Sequence, residues 1–256
     1  MSSIVSQDYW DSVYTDRALT LDASGLPFKD LFDQYLPKGG DCFEVGCYPG
    51  DFLAYLCRKF GYRANGIDRT PFVKDRLPAF LRTAGICVGK LFCGDFFATE
   101  FRDRYDVVCS FGFIEHFTDF AEAIEKHVSL VKPGGFLVMS CPNFRRLQYV
   151  LHWAIDRENL RRHVLSAMDL RVWNRVLRRR NMQILHAGYY GKIGFWHENA
   201  APNAVQRKII SFATRASLAL ATQITKPNRF ASPYMICICQ KPNREHNLPS
   251  GNSSDR

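Results

Sequence analysis

Short apolar runs alternate with helix-like segments from residue 41 onward, and this alternation restricts the fold more than any other feature of the sequence. The order is typical of a parallel sheet with helices on its faces. We therefore expect a doubly wound α/β core. The predicted strands are Asp41–Val45, Ala64–Asp68, Val88–Cys93, Tyr105–Ser110 and Gly135–Cys141.

Single residues mark the boundaries of the helices between these strands. Asp51 to Phe60 places its apolar residues on one face and stops before Gly61, a residue suited to the left-handed conformation that ends many helices. A second helix is predicted from Asp119 to Val131, where Asp119 and Glu122 form a capping-box pattern. It ends at the run Lys132-Pro133-Gly134-Gly135.

The later part of the chain continues with one more helix and two more strands. Ser166 and Asp169 form another capping-box pattern and open a helix that ends at Asn181, a residue tolerant of the left-handed conformation. Met182–Gly188 and Tyr234–Gln240 are the predicted strands. The length and the absence of internal repeats indicate one domain.

We divide that domain into four parts. Residues 1–40 are expected to form an N-terminal helical cover, and residues 41–144 a cofactor-binding core. Residues 145–240 are expected to cover the substrate and to supply the last two strands. Residues 241–256 are polar and are expected to form a flexible tail.

The charge of the chain is unevenly distributed. The formal net charge is +9. Up to Phe144 there are 15 Lys and Arg against 19 Asp and Glu, a net charge of −4, whereas the remainder has 19 against 6, a net charge of +13. The two parts are therefore expected to meet different chemical partners.

Several classes of protein are excluded. No stretch approaches the roughly 18 uncharged apolar residues of a membrane span, and the N-terminus lacks the pattern of a signal peptide. The nine cysteines are scattered without a C-x-x-C pair, so they indicate neither a disulfide framework nor a zinc site, and most are interpreted as small core residues. We expect a cytoplasmic protein without a bound metal.

The most informative stretch is the glycine turn after the first strand. Asp41-Cys-Phe-Glu-Val-Gly-Cys-Tyr-Pro-Gly-Asp51 combines a strand end, a tight turn and a helix start, where free N–H groups face a ligand. A dinucleotide would need G-x-G-x-x-G, but this chain has only Gly46 and Gly50. Glu44 precedes them, and its negative charge suits a cationic ligand.

This turn resembles motif I of the class I S-adenosylmethionine-dependent methyltransferases. The family's later motifs follow in the same order across about 100 residues, which makes the resemblance specific. The matching segments are Gly66-Ile67-Asp68, Cys93-Gly94-Asp95-Phe96, Tyr105 to Ser110, Phe113-Ile-Glu-His-Phe117 and Leu130 to Ser140. The resemblance implies a Rossmann-like, mostly parallel seven-stranded sheet with an antiparallel last strand and helical lid insertions in the C-terminal part.

The resemblance also implies S-adenosylmethionine as cofactor and assigns roles to matching residues. Glu44, Gly46, Cys47 and Gly50 would line the methionine end. Asp68 would accept both ribose hydroxyls, with Arg69 beside it, and Asp95 would meet the adenine amino group with Phe96 beside the ring. Ser110 and Phe111 would close the pocket. Tyr48-Pro49 stands where many members have a glycine, so the turn here is bulkier.

His116 is the leading candidate for a general base, with Glu115 to orient it. An imidazole after the fourth strand lies at the carboxyl edge of the sheet, where doubly wound proteins bind ligands. The alternative is that the Glu-His pair caps a helix or shapes the pocket. Second-tier candidates from the substrate-covering part are His152, His163, Tyr189 and Tyr190.

We hypothesise O-methylation of a small acidic or phosphate-bearing acceptor, such as a sugar, a lipid-linked sugar or a secondary metabolite. The arginines from Arg145 to Arg180 motivate an anionic acceptor. Nucleic acid is the partner that the positive charge first suggests, but the motifs of base-methylating enzymes and a separate RNA-binding module are missing. An RNA methyltransferase and a cofactor-binding or partner-binding module without turnover remain the alternatives.

Val205 to Ile224 is expected to form an amphipathic helix between the last two strands. Packing against the sheet is the favoured interpretation. The alternative is peripheral contact of residues 205–224 with an anionic membrane surface.

Overall fold

Seven strands form one sheet in the computed structural model, which describes residues 3–198 and 201–243. The strands are β1 Asp41–Val45, β2 Arg63–Asp68, β3 Val88–Cys93, β4 Tyr105–Phe111, β5 Val131–Pro142, β6 Gln183–Tyr190 and β7 Tyr234–Gln240. Their order across the sheet is β3-β2-β1-β4-β5-β7-β6, and β7 runs antiparallel to both neighbours while β1 to β5 are parallel. The predicted Rossmann-like fold class is confirmed.

Helices cover the sheet and its carboxyl edge. They are α1 Gln7–Thr15, α2 Lys29–Tyr35, α3 Asp51–Phe60, α4 Arg76–Thr83, α5 Phe120–Leu130, α6 Leu147–Ile155, α7 Arg157–Arg161, α8 Leu170–Arg179 and α9 Ala204–Leu220. None of them, among the residues described, has the length and apolar character needed to cross a membrane.

The central strands are buried on both faces, which is why they appear in the sequence as continuous apolar runs. Successive side chains of a strand point to opposite faces, so Val107 and Val108 enter different cores although neither is exposed. Val108 packs with Leu137 and Trp173 on one face, and Val107 packs with Leu53 on the other. The carboxyl edge of the sheet is the side left open for a ligand.

Two of the predicted helix ends are confirmed. α3 buries Leu53, Leu56 and Phe60 on one face and ends at Gly61, which has a φ of 73°. Asn181 follows α8 with a φ of 56°. Both residues adopt the left-handed conformation that their types predict.

The predicted capping boxes are wrong. Asp119 makes no side-chain capping hydrogen bond at α5. Ser166 lies in a short 3-10 helix, Leu165–Ala167, and Asp169 is itself the N-cap of α8 because its side chain accepts the Arg171 N–H. Ser166 and Asp169 have the spacing of a capping box, but the N-cap of the helix is three residues later than predicted, at Asp169 instead of Ser166.

The strand ends also differ from the prediction. The helix predicted to continue through Val131 ends at Leu130, because Val131 pairs with Tyr105 as the first residue of β5. Gly134 adopts a φ of 77°, and its N–H donates to the Lys241 carbonyl. The glycine run is therefore an irregular part of the strand. Residues 244–256 of the predicted tail lie outside the described residues.

The favoured packing of the late amphipathic helix is wrong. α9 lies between β6 and β7 in the chain as expected, but it packs on α6, and Ala213 is the one buried residue among its described positions. Phe212 is 74% exposed. The apolar face therefore points to solvent, since the sheet is already covered by α5 and α8 on one face and α3 and α4 on the other.

Trp173 is the largest side chain that α8 buries. Its side chain is fully buried, and its Nε1–H donates to the Ala167 carbonyl at 2.6 Å. We expect Trp173→Ala to lower the free energy of unfolding by about 3–5 kcal/mol, because it removes the ring and leaves a cavity. Chemical denaturation measures this loss, with Trp153→Ala as the matched control. Trp153 is 50% exposed, so its variant should differ little from wild type; equal losses would contradict this account.

Candidate functional site

The turn after β1 brings backbone close to a cavity at the carboxyl edge of the sheet. Gly46 and Gly50 have φ values of 74° and 97°, and a Cβ on Gly50 would lie 2.5 Å from the Leu77 side chain. Both glycines line the cavity, which has a volume of about 290 Å³. A chain with side chains at these positions could not form the turn without displacing its neighbours.

Glu44 lies beneath this turn. Its side chain is 4% exposed, and the Leu53 N–H at the start of α3 faces its carboxylate. Burial and the nearby Asp51 and Asp68 carboxylates raise the pKa of Glu44 well above its usual range. Its Oε2 atom has no hydrogen-bond partner although it is buried beside the cavity. A cationic ligand group would supply the missing partner.

Asp68 ends β2 at the wall of the same cavity. Its Oδ2 accepts the Tyr48 N–H at 3.1 Å, and its Oδ1 accepts the Thr70 N–H at 3.0 Å. Burial raises the pKa of Asp68 to about 6, although the neighbouring N–H groups act in the opposite direction. Each oxygen retains a further lone pair for a ligand hydroxyl.

Asp95 and Arg69 form the next part of the wall. The Asp95 Oδ1 accepts the Phe97 N–H at 2.7 Å, so half of the carboxylate caps the turn after β3. Its Oδ2 lies 4.0 Å from the Arg69 guanidinium. Phe96 also lines the cavity, and its ring packs edge-on against Phe113.

Two of the residues named for the pocket lie outside its lining. Cys47 is buried under the turn, where it faces Gly66, and Ser110 is buried within β4. Phe111, by contrast, lines the cavity and stacks on Phe52 with ring centroids 3.8 Å apart. The alternation of side chains along β4 explains why neighbours in sequence differ in this way.

The N-terminal segment, which the sequence analysis expected to be a helical cover, lies against the cavity. Trp10, Tyr14 and Arg17 of the α1 region line it. The Trp10 ring meets the His116 ring edge-on at 5.1 Å, and the Ile4 N–H donates to the His116 carbonyl at 2.9 Å. Aromatic residues on a short N-terminal helix were the one available signal in the sequence.

A second cavity of about 250 Å³ adjoins the first. The two share Trp10, Phe52, Phe111, Gly112 and His116 in their linings. Aromatic side chains dominate the walls of the second cavity. Its lining further includes Tyr9, Phe28, Glu115, Ser140, Cys141, Asn159, Arg162, His163, Trp196, Glu198 and Tyr234.

His116 lines both cavities, and Glu115 lines the second. The His116 Nδ1 lies 2.8 Å from the Arg162 carbonyl oxygen, and the Gly112 carbonyl also faces the ring. Burial lowers the pKa of His116 to about 4 and raises the pKa of Glu115 to about 8. The imidazole is therefore neutral at pH 7.

The structure places the second-tier candidates in different environments. His163 lines the second cavity and its ring lies 4.8 Å from the His116 ring. His152 is buried against Phe144, with ring centroids 4.0 Å apart. The Tyr190 hydroxyl donates to Asp30 at 2.7 Å, and Tyr189 lies half-buried on the same edge strand. Cys141, buried in β5, has a pKa raised well above its usual range by burial and is therefore a weak nucleophile.

The arginines of the basic part are mostly paired or turned away from the cavities. Arg145 pairs with Asp169 at 3.3 Å, and Arg180 pairs with Glu125. Arg162 lines the second cavity, where it pairs with Glu198 at 2.8 Å.

The residues present fit the cofactor that the sequence resemblance implies. An orphaned buried carboxylate oxygen on Glu44 suits an ammonium group, and the Asp68 carboxylate suits paired hydroxyls. The glycine turn leaves room for a ligand next to backbone. The second cavity adjoins this one and shares Trp10, Phe111 and His116 with it.

Known proteins agree with this geometry. Residues 23–187 match the family described as "Methyltransferase domain". A ubiquinone biosynthesis O-methyltransferase of Coxiella burnetii is 26% identical over 152 residues, which are 58% of this chain and 64% of that protein. The chain therefore spans just under two thirds of the length of the curated relatives it matches.

Solved structures share the fold. A methyltransferase from Thiobacillus denitrificans, solved with S-adenosylhomocysteine, is 14% identical, with a TM-score of 0.59 over 92% of this chain and 98% of that one. Geranyl diphosphate C-methyltransferase from Streptomyces coelicolor is 12% identical, with a TM-score of 0.56 over 83% and 77%. The family match extends over more than half of the chain and includes every cofactor motif. The chain belongs to the methyltransferase-domain family of class I S-adenosylmethionine-dependent enzymes.

Proposed function

We propose that this protein transfers the methyl group of S-adenosylmethionine to a hydroxyl oxygen of a small acceptor. The observation that carries the proposal is the pair of adjoining cavities. One is lined by the acidic residues Glu44, Asp68 and Asp95, and seven of the eighteen residues that line the other are Phe, Tyr or Trp. The relatives named as ubiquinone biosynthesis O-methyltransferases support oxygen as the methyl acceptor.

Glu44, Asp68 and Asp95 line the cavity and are proposed to have the roles that the family resemblance assigns. Glu44 would hold the ammonium group, directly or through water, and Asp68 would accept the ribose hydroxyls. Asp95 would meet the adenine amino group with its free Oδ2, near Arg69 and Phe96. The bound cofactor supplies an activated methyl group on sulfur, so the protein has to position a nucleophile and exclude water.

The second cavity favours a flat acceptor with a hydroxyl group. Its aromatic walls, including Phe28, Phe111 and Trp196, would pack on a ring. Arg162 would meet an acidic or phosphate group on the acceptor, in exchange with Glu198. His116 would face the acceptor, because it lines both cavities and the Arg162 carbonyl holds its Nδ1.

Asp68→Asn should weaken binding of S-adenosylmethionine by roughly ten- to a hundredfold, because hydrogen bonds to a charged group contribute about 1.5–3 kcal/mol. Isothermal titration calorimetry measures the affinity. Asp33→Asn is the matched control, since Asp33 is an exposed aspartate paired only with Lys59 at 3.2 Å. Equal affinity of Asp68→Asn and wild type would contradict the assignment.

The same variants test the pH dependence of binding. With a pKa of about 6, Asp68 accepts hydroxyl hydrogen bonds best above that pH, so wild-type affinity should fall about fourfold between pH 7.5 and pH 5.5. Glu44, with its raised pKa, and Asp11 also face Asp68 electrostatically. The change of affinity with pH that the wild type shows and Asp68→Asn does not show is due to the titration of Asp68.

Methyl transfer is tested with S-adenosylmethionine labelled in its methyl group and a fractionated cell extract. We expect label in the small-molecule fraction with the wild type and much less with Asp68→Asn. Label only in RNA would favour the RNA methyltransferase alternative. Binding of the cofactor without label in any fraction would favour the module without turnover.

We also propose that the outer surface of α6 and α9 contacts an anionic membrane. Both helices expose large apolar side chains, including Val150 at 60%, Trp153 at 50% and Phe212 at 74%. Residues 201–243 carry no Asp or Glu, and their basic residues are Arg207, Lys208, Arg215, Lys226, Arg229 and Lys241. Exposed apolar groups beside positive charge are typical of helices that lie on anionic lipid.

Vesicle flotation tests this contact. The wild type should float with phosphatidylglycerol vesicles more strongly than with pure phosphatidylcholine, and Phe212→Asp should reduce flotation several-fold by placing a charge in the apolar surface. Leu21→Asp is the control, because Leu21 is an exposed apolar residue of the N-terminal part, 40% exposed. Equal flotation of wild type and Phe212→Asp would remove the proposal.

A further inference from the structure

Three side chains with metal-binding atoms converge at the second cavity. Glu115, His116 and His163 each offer one ligand atom, and these atoms all lie within 4.8 Å of one another. Ligand atoms around a tetrahedral zinc ion lie roughly 3.4 Å apart, given bonds of about 2.1 Å. Small rotations of the three side chains would close this difference.

The two histidines are held in the orientation that metal ligands need. The His116 Nδ1 lies 2.8 Å from the Arg162 carbonyl oxygen, and the His163 Nδ1 lies 2.7 Å from the Asn159 carbonyl oxygen. A carbonyl oxygen only accepts, so the His163 Nδ1 carries the hydrogen and its Nε2 keeps its lone pair. The Gly112 carbonyl also faces the His116 ring, so the His116 Nε2 offers a lone pair when the hydrogen is on Nδ1. Metal-binding histidines commonly use this second contact to fix the ring and its tautomer.

Glu115 is the independent sign that a ligand belongs here. Its side chain is fully buried, and neither carboxylate oxygen has a hydrogen-bond partner. A Cβ on Gly112 would lie 3.4 Å from its Oε1, so the glycine leaves room around that oxygen. A buried carboxyl group whose oxygens have no hydrogen-bond partner is unfavourable, and a bound cation would supply the missing partner.

We propose that Glu115, His116 and His163 bind one divalent transition-metal ion. Two imidazoles and one carboxylate favour zinc, iron, cobalt or manganese over magnesium, which prefers oxygen ligands. Three protein ligands leave coordination positions open, as in catalytic rather than structural sites. Those positions face the second cavity, which Glu115, His116 and His163 all line.

The role of the ion rests on the proposed function. An acceptor hydroxyl that binds to the ion would lose its proton to solvent more readily. Its oxygen would then form a bond to the methyl carbon as the bond from that carbon to the cofactor sulfur breaks, leaving S-adenosylhomocysteine and the methyl ether. Ion and cofactor together would thus hold the two reacting atoms side by side.

Titration with Co²⁺ tests the site without any assay of activity. Chelator-treated wild type should bind one Co²⁺ ion, with visible absorption bands that Zn²⁺ displaces. His163→Gln and Glu115→Gln should weaken this binding at least tenfold. His186→Gln should leave it unchanged, because His186 lies on β6 beside Tyr35, away from the cluster.

Thermal unfolding and cofactor calorimetry complete the test. His163→Gln should unfold at the wild-type temperature without metal and keep its affinity for S-adenosylmethionine. Absence of Co²⁺ binding to the wild type, or equal binding by folded His163→Gln, would overturn the metal site whatever the cofactor result. Co²⁺ binding lost in His163→Gln would support the site even if no methyl transfer is found.

Discussion

The close approach of the turn after β1 to the end of β2 is the constraint on which the site depends. A Cβ on Gly66 would lie 2.7 Å from the Cys47 Cβ and 2.9 Å from the Glu44 carbonyl oxygen, so only glycine allows the two strands to meet there. Because the turn lies against β2, the Tyr48 N–H reaches the Asp68 carboxylate. The same contact places Glu44 and Asp68 on one cavity. Cofactor chemistry thus follows from a packing requirement between two backbones.

The contacts that hold α1 over this cavity differ from those that hold the sheet together. α1 buries none of its residues. The Tyr9 hydroxyl donates to Glu198 at 3.1 Å, the Arg162 guanidinium pairs with the same carboxylate and stacks on the Tyr9 ring, and all three groups are at least partly exposed. Exposed polar contacts of this kind contribute little stability. Few buried contacts therefore hold α1, in contrast with the strands of the sheet.

The sequence predicted the core and the cofactor motifs well, because their signals are local. β1, β3 and β7 begin and end at the predicted residues, and Asp68 is at the strand end that the motif required. The sequence did not predict the contacts between segments that are distant along the chain. His163 follows Glu115 by 48 positions, and nothing in the sequence indicated that its ring meets His116. The predicted packing of α9 was wrong for the same reason, since the pattern of an amphipathic helix does not indicate which surface covers it.

Most of the positive charge of the second half lies away from the two cavities, and Arg162 is the basic residue of that half in their linings. Near the cavities the structure has carboxylates and aromatic rings, and Arg162 is already paired with Glu198. The unpaired excess lies on the outer helices, where Arg207 and Arg215 stand beside exposed apolar residues. On the proposed function, this charge would therefore bear on surface contacts such as the proposed membrane contact, and the groups that line the second cavity would select the acceptor.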